Sequence, residues 1–354
     1  MGQGSATLKD VAEAAGVSTA TVARVIHERG YVAPETRAHV QSAIRATGYR
    51  LNVVAQGLRT RRTLVLGHLL LALSPNPFFA TIALGVEEEA ARRGCGVIIA
   101  NTQEDPELER LAVETLIRRR VDAIVFTTVR DEQTMHAAIA ASIPVVQVER
   151  SRLATVSSVT IDNYEGAFEA ASHLIELGHR RIAFIGEDPD KRGAHVEPGL
   201  RLIERERLDG YRDALVQHGL PFDLKLVDLG GRYYDLDHTR MVAGRWLDQT
   251  IRPTAIFAAC DLMAAGVLQE AYARGLHVPR DLSIVGFDDT LAAQLTPPLT
   301  TVVQPMIETG RLAAAIAIEA AEAHGHATSE PRVERLTTHL VVRESTAPPA
   351  AQSP

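Results

Sequence analysis

The chain has 354 residues, of which 46% are hydrophobic and 23% charged, so we expect a soluble globular protein with two or three domains. Its net charge of −7, taken alone, argues against a protein that binds nucleic acid. The charge is unevenly placed, however, because residues 1–62 carry +5 and the remainder −12. This asymmetry predicts a small basic module joined to an acidic body.

The absence of several sequence signals disfavours several classes of protein. Cys95 and Cys260 are too far apart for a paired or CxxC spacing, so we expect neither a disulfide framework nor a zinc site. The sequence lacks the apolar run of a membrane-spanning helix and a signal peptide, which predicts a cytoplasmic protein. The motifs GxSxG, Walker loop, HExxH and strand-linked GxGxxG are missing, and His195, His324 and His326 stand isolated in polar stretches. We therefore expect no enzyme, no metal ion and no cofactor.

Residues 7–27, TLKDVAEAAGVSTATVARVIH, predict two short helices joined by a tight turn. Apolar residues recur from Leu8 at i, i+3, i+4 and i+7, which is one face of a helix. Thr7 can cap this helix, and Gly16 can end it in the left-handed conformation. Ser18 is then a good N-cap for the second helix.

The second helix has two different faces. Val22, Val25 and Ile26 form a packing stripe, whereas the opposite face is small and polar with one long cation, Arg24. A helix with a slim basic front suits the major groove of DNA. A third helix follows over residues 34–47, because Pro34 suits a first helical position and Gly48 a C-terminal cap.

Residues 50–62, RLNVVAQGLRTRR, allow two interpretations. The composition by itself favours a solvated linker. Alternatively, a short helix over residues 52–58, weakened by Gly57, could form only when an anionic partner neutralises the arginines that follow it.

From residue 64 onward, apolar strands alternate with amphipathic helices in two series. This alternation predicts an α/β body of two doubly wound parallel-sheet subdomains, with a small ligand bound between their strand ends. The expected boundaries are residues 1–50 for the headpiece, 51–63 for the linker, 64–178 with 303–333 for the first subdomain, 179–302 with 334–346 for the second, and 347–354 for a disordered Pro/Ala-rich tail.

The sequence resembles the LacI/GalR family of bacterial transcription regulators. The family's typical opening, T-[LI]-x-D-V-A-x-x-A-G-V-S-x-x-T-V-S-R-V-[LI]-N, corresponds to residues 7–27. Further matches are GY at 48–49, NPFF at 76–79, HLIELGHRRIAFIG at 173–186, CDLMAAG at 260–266, SIVGFDD at 283–289 and PPLTTVVQ at 297–304. The resemblance implies an all-α helix-turn-helix headpiece on a periplasmic-binding-protein-like body, acting as an effector-controlled repressor that binds a near-palindromic operator as a homodimer.

The resemblance also implies which headpiece residues contact DNA. Base contacts fall on Thr19, Ala20 and Arg24, and an arginine can pair bidentately with guanine. Phosphate contacts, which fix register, fall on Thr7, Ser18, Thr21, Thr36, Tyr49 and Asn52. Ala23 and His27 replace the usual Ser and Asn at the end of the reading helix, and Leu51 replaces a frequent Pro, so the preferred operator is expected to differ.

In the family the basic linker is a hinge helix that orders on operator DNA. Leu58 matches the leucine that wedges into the minor groove, and Ala55 lies close beside it. The resemblance therefore favours the hinge over the inert linker.

The effector positions implied by the resemblance are spread over the body. They are Asn76, Phe79, Thr127, Glu165, Arg207, Tyr233, Cys260, Asp288 and Gln304. Carboxylates can accept hydrogen bonds from a polyol, Arg207 can donate in a fork, and the aromatic rings can stack on a sugar. For each residue, helix capping or bridging of the subdomains is the structural alternative. Cys260 replaces the family's usual Asn, which leaves sugars, sugar acids and nucleosides open.

A solute-binding protein and a sugar-processing enzyme are the two alternatives to a regulator. A solute-binding protein would need an export signal and no basic head, and a sugar-processing enzyme on this fold would need catalytic motifs. Because residues 347–354 carry no heptads, a dimer is expected rather than a tetramer.

Overall fold

The computed structural model describes residues 6–26, 30–49, 62–103, 105–127, 132–149, 153–187, 203–231, 235–323 and 330–350. Among the predicted site residues, His27, Asn52, Ala55, Leu58 and Tyr233 lie outside these ranges, as do most of the linker and His195, His324 and His326. The chain divides into two compact units, Met1–Thr63 and Leu64–Pro354, which we call the headpiece and the body.

The headpiece contains the three predicted helices, α1 (Leu8–Ala15), α2 (Thr19–Ile26) and α3 (Pro34–Thr47). Thr7 and Asp10 form a capping box at the start of α1, and Gly16 ends it at φ 66°. The Ser18 hydroxyl accepts a hydrogen bond from the Thr21 backbone N–H at 3.2 Å, which caps α2. These local signals confirm the predicted turn.

A small apolar core holds the three helices together. It contains the buried side chains Val11, Ala12, Val22, Val25, Val40 and Ala43. Val22 and Val25 belong to the predicted packing stripe of α2, so the opposite face of that helix is turned away from the core. The fold thus fixes the orientation of α2 through its valines.

The first lobe of the body is a six-stranded parallel sheet. Its strands are β1 (Val65–Leu70), β2 (Gly96–Asn101), β3 (Ala123–Thr127), β4 (Val145–Val148), β5 (Ser157–Ile161) and β11 (Val333–Leu336). They lie in the order β11-β5-β4-β3-β1-β2. Its helices are α4 (Pro77–Arg92), α5 (Pro106–Arg118), α6 (Glu132–Ala140) and α11 (Met306–Glu322). Apolar cores on both faces bury β1, β3 and β4, as their continuous apolar runs predict.

The second lobe is another six-stranded sheet. Its strands are β6 (Ile182–Glu187), β7 (Val227–Gly231), β8 (Ala255–Ala258), β9 (Ser283–Asp288), β10 (Thr300–Val303) and β12 (His339–Val341). They lie in the order β12-β10-β9-β8-β6-β7. Its helices are α7 (Asn163–Glu176), α8 (Ile203–Gln217), α9 (Leu236–Leu247) and α10 (Asp261–Ala273). The sheet is parallel except that β12 runs antiparallel to β10, which differs from the prediction of purely parallel sheets.

Two predicted subdomain boundaries are wrong. Helix α7, expected in the first subdomain, packs closely on α8 of the second lobe, where a Cβ at Gly210 would lie 2.3 Å from the Tyr164 carbonyl oxygen. Strand β11, most of which was expected in the second subdomain, pairs in parallel with β5 of the first sheet. An amphipathic helix or a short strand does not reveal which of two sheets it joins, because that choice depends on distant contacts.

The C-terminal residues also differ from expectation. Ala347 donates its backbone N–H to the Ser283 hydroxyl at 3.1 Å, and its carbonyl oxygen lies 2.9 Å from His179 Nε2. The prediction of disorder from residue 347 is therefore wrong at Ala347, while residues 351–354 lie outside the described ranges. The Pro/Ala-rich composition of this segment does not reveal its hydrogen bonds to His179 and Ser283, because both residues are distant in the sequence.

Two glycines bring α4 and α11 into direct backbone contact. A Cβ at Gly85 would lie 2.1 Å from the Ile307 carbonyl oxygen, and one at Gly310 would lie 2.2 Å from the Ile82 carbonyl oxygen. We expect Gly85→Ala to lower the free energy of unfolding by about 1–3 kcal/mol, since the helices must separate. Urea denaturation of the full chain measures this change.

Gly96→Ala on the edge strand β2 is the matched control, because a Cβ there would meet no heavy atom within 4 Å. We expect that variant to change the free energy of unfolding by less than about 0.5 kcal/mol. Equal losses in the two variants would contradict the close packing of α4 on α11.

Candidate functional site

We use the word cleft for the region at the carboxyl ends of the strands of the two lobes. Asp288 ends β9 in the second lobe, and Glu149 follows β4 in the first. Burial raises the pKa of Asp288 well above its ordinary value, Arg207 opposes the shift, and the negative charges of Asp261 and Glu149 add to it. The cleft thus carries a carboxylate from each lobe.

Arg207 is the centre of a buried polar group in the cleft. Its Nε donates to Asn163 Oδ1 at 2.8 Å, and its Nη1 donates to the Ala259 carbonyl oxygen at 2.6 Å. The same Nη1 lies 3.7 Å from Asp288 Oδ1, and the guanidinium carbon lies 3.8 Å from the centre of the Phe287 ring. Helix α8 supplies this cation, and its partners lie at the start of α7 and at the ends of β8 and β9. The group therefore forms only when the second lobe is folded.

Gln304 completes the group from the segment that joins β10 to α11. Its side-chain amide donates to Asp288 Oδ1, whereas its own Oε1 is buried and has no hydrogen-bond partner among the described residues. The structure thus brings Arg207, Asp288 and Gln304 together, three of the predicted effector positions.

Asp288 adopts a backbone conformation that residues other than glycine rarely occupy. Its φ is 116°, and Asp289 follows at φ 59°. The second residue is fixed by Arg343, whose Nη2 donates to Asp289 Oδ2 at 3.0 Å. Strained residues of this kind persist where the surroundings determine them, and they concentrate at ligand sites.

Cys260 lies at the start of α10, beside this polar group. Its buried sulfur accepts a hydrogen bond from the Met263 backbone N–H at 3.5 Å, so it caps the helix. Burial raises the pKa of the thiol well above its usual value and keeps it neutral. Cys260 therefore acts as a helix cap, which is the structural alternative to a ligand contact at the predicted effector positions.

The next residue, Asp261, was not predicted to belong to the site. Its carboxylate accepts hydrogen bonds from the Thr301 hydroxyl at 2.6 Å and from the Thr290 backbone N–H at 2.8 Å. Burial raises the pKa of Asp261 to about 6. An aspartate at a helix start is an ordinary cap, so its sequence position alone gave no sign of this buried network.

In the first lobe, three predicted positions are buried near the strand ends. Asn76 caps α4 by accepting from the Phe78 backbone N–H at 3.1 Å. Phe79 belongs to the apolar core beneath that helix. The hydroxyl oxygen of Thr127, the last residue of β3, lies 2.8 Å from His68 Nε2.

Glu165 differs from the other predicted effector positions that the structure describes, because its side chain is exposed in the first turn of α7. Asn163, two residues earlier, is the residue of that turn that meets Arg207. Asn163 was not among the predicted positions, although it lies in the same helical turn as the predicted glutamate.

The headpiece presents the residues predicted to read DNA. Thr19, Ala20 and Arg24 are exposed on α2, opposite the buried valines. Among the predicted phosphate contacts, Thr7 and Ser18 act as helix caps, and the Ser18 hydroxyl lies 3.0 Å from the Thr21 hydroxyl. Thr36 and Tyr49 are half-buried.

Comparisons with known proteins agree with this two-unit organisation. Residues 7–52 match the family described as "Bacterial regulatory proteins, lacI family", and residues 171–346 match "Periplasmic binding protein-like domain". The HTH-type transcriptional regulator DegA of Bacillus subtilis is 36% identical over 97% of this chain and 98% of its own length. The chain belongs to the LacI family of bacterial regulatory proteins. The ribose operon repressor of Escherichia coli is 33% identical over 95% of this chain and 97% of its own length.

Two solved structures of transcriptional regulators share the fold over nearly the whole chain. The lac repressor dimer bound to operator and the anti-inducer ONPF superposes with a TM-score of 0.78 at 27% identity, covering 97% of this chain and 100% of that one. The complex of the regulator CelR with cellobiose gives a TM-score of 0.70 at 34% identity, covering 96% and 99%.

These findings confirm the predicted family, the fold class and the role of a DNA-binding transcriptional regulator. The relatives are regulators rather than enzymes. None of the described helices is long and apolar enough to cross a membrane, and the described residues contain no group of three or more potential metal ligands.

Proposed function

We propose that this LacI-family protein is a repressor whose affinity for a near-palindromic operator is controlled by a small polar ligand in the cleft. The observation that carries the proposal is the buried group of Arg207, Asp288, Asn163 and Gln304 in a chain that also has a helix-turn-helix headpiece. A buried cation, carboxylate and amide converge where a neutral polar molecule could exchange hydrogen bonds with all of them.

The ligand belongs to the sugars or related polar metabolites. CelR is described in complex with cellobiose, and the relative from Escherichia coli at 33% identity is a ribose operon repressor. The buried group in the cleft of this chain carries polar atoms suited to hydroxyl groups, with Arg207 and Asp288 as donor and acceptor. Tyr233 and Phe79 remain proposed stacking residues, and Glu165 and Cys260 remain proposed contacts at the margin of the group.

Control of DNA binding follows from the two lobes. A ligand that changes the angle between them alters the segments near residues 162, 304 and 337, where the chain passes from one lobe to the other. An ion pair from Arg335 on β11 to Glu206 on α8, at 3.1 Å, also joins the lobes. By reciprocity, operator DNA must change ligand affinity by the same factor as the ligand changes operator affinity.

The operator is contacted by the headpiece and by the proposed hinge. Thr19, Ala20 and Arg24 face bases in the major groove, with His27 at the end of the same helix. Thr7, Ser18, Thr21, Thr36, Tyr49 and Asn52 hold phosphates, and Ala55 and Leu58 enter the minor groove. Support for this assignment comes from the exposed face of α2 and from the match of residues 7–52 to the family.

The operator-binding form is a homodimer. Four apolar side chains are exposed on the edge strand β2 of the first lobe and on the helices α4 and α5 that contact it, namely Leu84, Ile99, Leu108 and Leu111. A second copy of the chain is the proposed occupant of this face, because the lac repressor that shares the fold is a dimer on its operator.

Arg24 gives the sharpest test of the DNA contacts. We expect Arg24→Ala to weaken operator binding by about 1–3 kcal/mol and to relax discrimination at one base pair in each half-site, since a bidentate contact to guanine is lost. Competition binding with single-base operator variants measures both effects.

Arg45→Ala is the matched control, because Arg45 is an exposed arginine in the last turn of α3. It should change the affinity for all operator variants by a similar factor or not at all. If Arg24→Ala left the base preference unchanged, the proposed role of Arg24 would be wrong.

The control by ligand is tested with a panel of sugars and nucleosides added to the full chain. A ligand raises the melting temperature by mass action, and the same compound should change operator affinity. If ligands stabilised the body and left operator affinity unaltered, the chain would bind them without the proposed regulation.

A further inference from the structure

His68 is a buried histidine in the apolar strand β1. Its Nε2 lies 2.8 Å from the hydroxyl oxygen of Thr127 on the neighbouring strand β3. The register pairs His68 with Val125, two residues before Thr127, so both side chains extend from the same face of the sheet. This places the ring directly behind an effector position.

The ring is neutral at physiological pH. Burial lowers the pKa of His68 from 6.5 to about 4. A neutral imidazole carries a single N–H, on either Nδ1 or Nε2, and the hydrogen bonds around the ring decide which nitrogen holds it.

The surroundings favour the proton on Nε2. Nδ1 is buried and has no hydrogen-bond partner among the described residues, so a proton there would lack an acceptor. A proton on Nε2 has the Thr127 oxygen as its acceptor. Thr127 then accepts from the ring, and its own hydroxyl proton must be directed away from His68.

We propose that His68 is a positioning residue that holds the Thr127 hydroxyl as a hydrogen-bond donor toward the effector. This inference rests on the proposed function, because it takes Thr127 to contact the ligand. It adds a requirement on that ligand, which must present an oxygen or nitrogen acceptor to the first lobe.

Gln304, on the segment that connects the two lobes, imposes the opposite requirement on the ligand. Its amide nitrogen is used by Asp288, while its buried Oε1 lacks a hydrogen-bond partner in the described part of the chain. This oxygen can accept a hydrogen bond from the ligand. A molecule that presents an acceptor to Thr127 and a donor to Gln304 meets both requirements, as a sugar does with a ring oxygen and a hydroxyl group.

The ring tautomer is tested first, by long-range proton–nitrogen correlation spectra of the full chain labelled with ¹⁵N-histidine. The His68 signal is assigned by its loss in His68→Gln. We expect a neutral ring with the proton on Nε2 at pH 7, and still neutral at pH 5.5. A proton on Nδ1, or a charged ring at pH 5.5, would overturn the proposal. This readout does not depend on any ligand.

Binding is tested by calorimetry with D-ribose and with cellobiose as the probes. Thr127→Val and His68→Leu should each weaken the binding of a probe roughly tenfold, the cost of about one hydrogen bond. The double variant should be no weaker than Thr127→Val, since His68 acts through that hydroxyl. His68→Gln should restore most of the affinity, because an amide N–H can donate to the same oxygen.

The outcomes separate the two proposals. Additive losses in the double variant, or an equal loss in His68→Gln and His68→Leu, would mean that His68 only fills the core. If neither sugar binds the unmodified chain, the proposed ligand class fails for these two sugars, while the tautomer still decides how the Thr127 hydroxyl is held.

Discussion

Removal of residues 1–62 should abolish binding to operator DNA and leave ligand binding by the body intact. The deleted segment carries +5 of charge, while the body left behind carries −12 and repels the phosphate backbone. The loss should be complete, because phosphate contacts supply most of the affinity and the helix that reads the bases is gone. Electrophoretic mobility shift with the full chain and the truncated body measures this difference.

The control for this deletion is the stability of the body itself. Residues 64–354 form a compact unit with their own apolar cores, so the truncated chain should unfold cooperatively and bind the same ligands as the full chain. A folded body that still shifts operator DNA would contradict the division into a DNA-binding headpiece and a regulatory body.

Replacement of Arg207 by Ala should have the largest effect in the body. The substitution removes the cation that faces Asp288 and leaves that carboxylate buried near Asp261 and Glu149. We expect the free energy of unfolding to fall by about 3 kcal/mol, and ligand affinity to fall at least a hundredfold. At temperatures where the variant stays folded it should bind operator, and the ligand should no longer change that binding.

Arg212→Ala is the matched control, since Arg212 lies on the same helix and pairs with Asp209 at 2.8 Å in a more exposed position. We expect it to cost less than about 1 kcal/mol and to leave the ligand response unchanged. If Arg207→Ala lost stability but kept its ligand response, the arginine would be a structural residue rather than part of the effector site.

The headpiece could be predicted from sequence because its signals are local. The cap at Thr7, the left-handed Gly16 and the valine stripe of α2 each depend on residues within one or two turns. The alternation of strands and helices likewise fixed the class of the body, since it requires only neighbouring residues to share a periodicity.

The lobe boundaries could not be predicted in this way. Helix α7 packs closely on α8 of the second lobe, where Gly210 approaches Tyr164, and these two residues are distant in the chain. The antiparallel pairing of β12 and the binding of Ala347 by His179 have the same origin. In each case the deciding contact is long-range and leaves no periodic trace.

The cleft was predicted in part. The family motifs located Arg207, Asp288 and Gln304, which the structure brings together. They did not locate His68, although a single histidine within the apolar run LVLGHLLLAL was a visible exception. Its meaning required the register of β1 against β3, because only that pairing places the ring beside Thr127.

Selection of binding sites from random double-stranded DNA by the full chain tests the central claim most directly. The proposed dimer, with one headpiece on each half-site, predicts enrichment of a single near-palindromic sequence with two inverted half-sites. Enrichment of no sequence, or of an isolated half-site without its inverted copy, would contradict a repressor that reads its operator as a dimer.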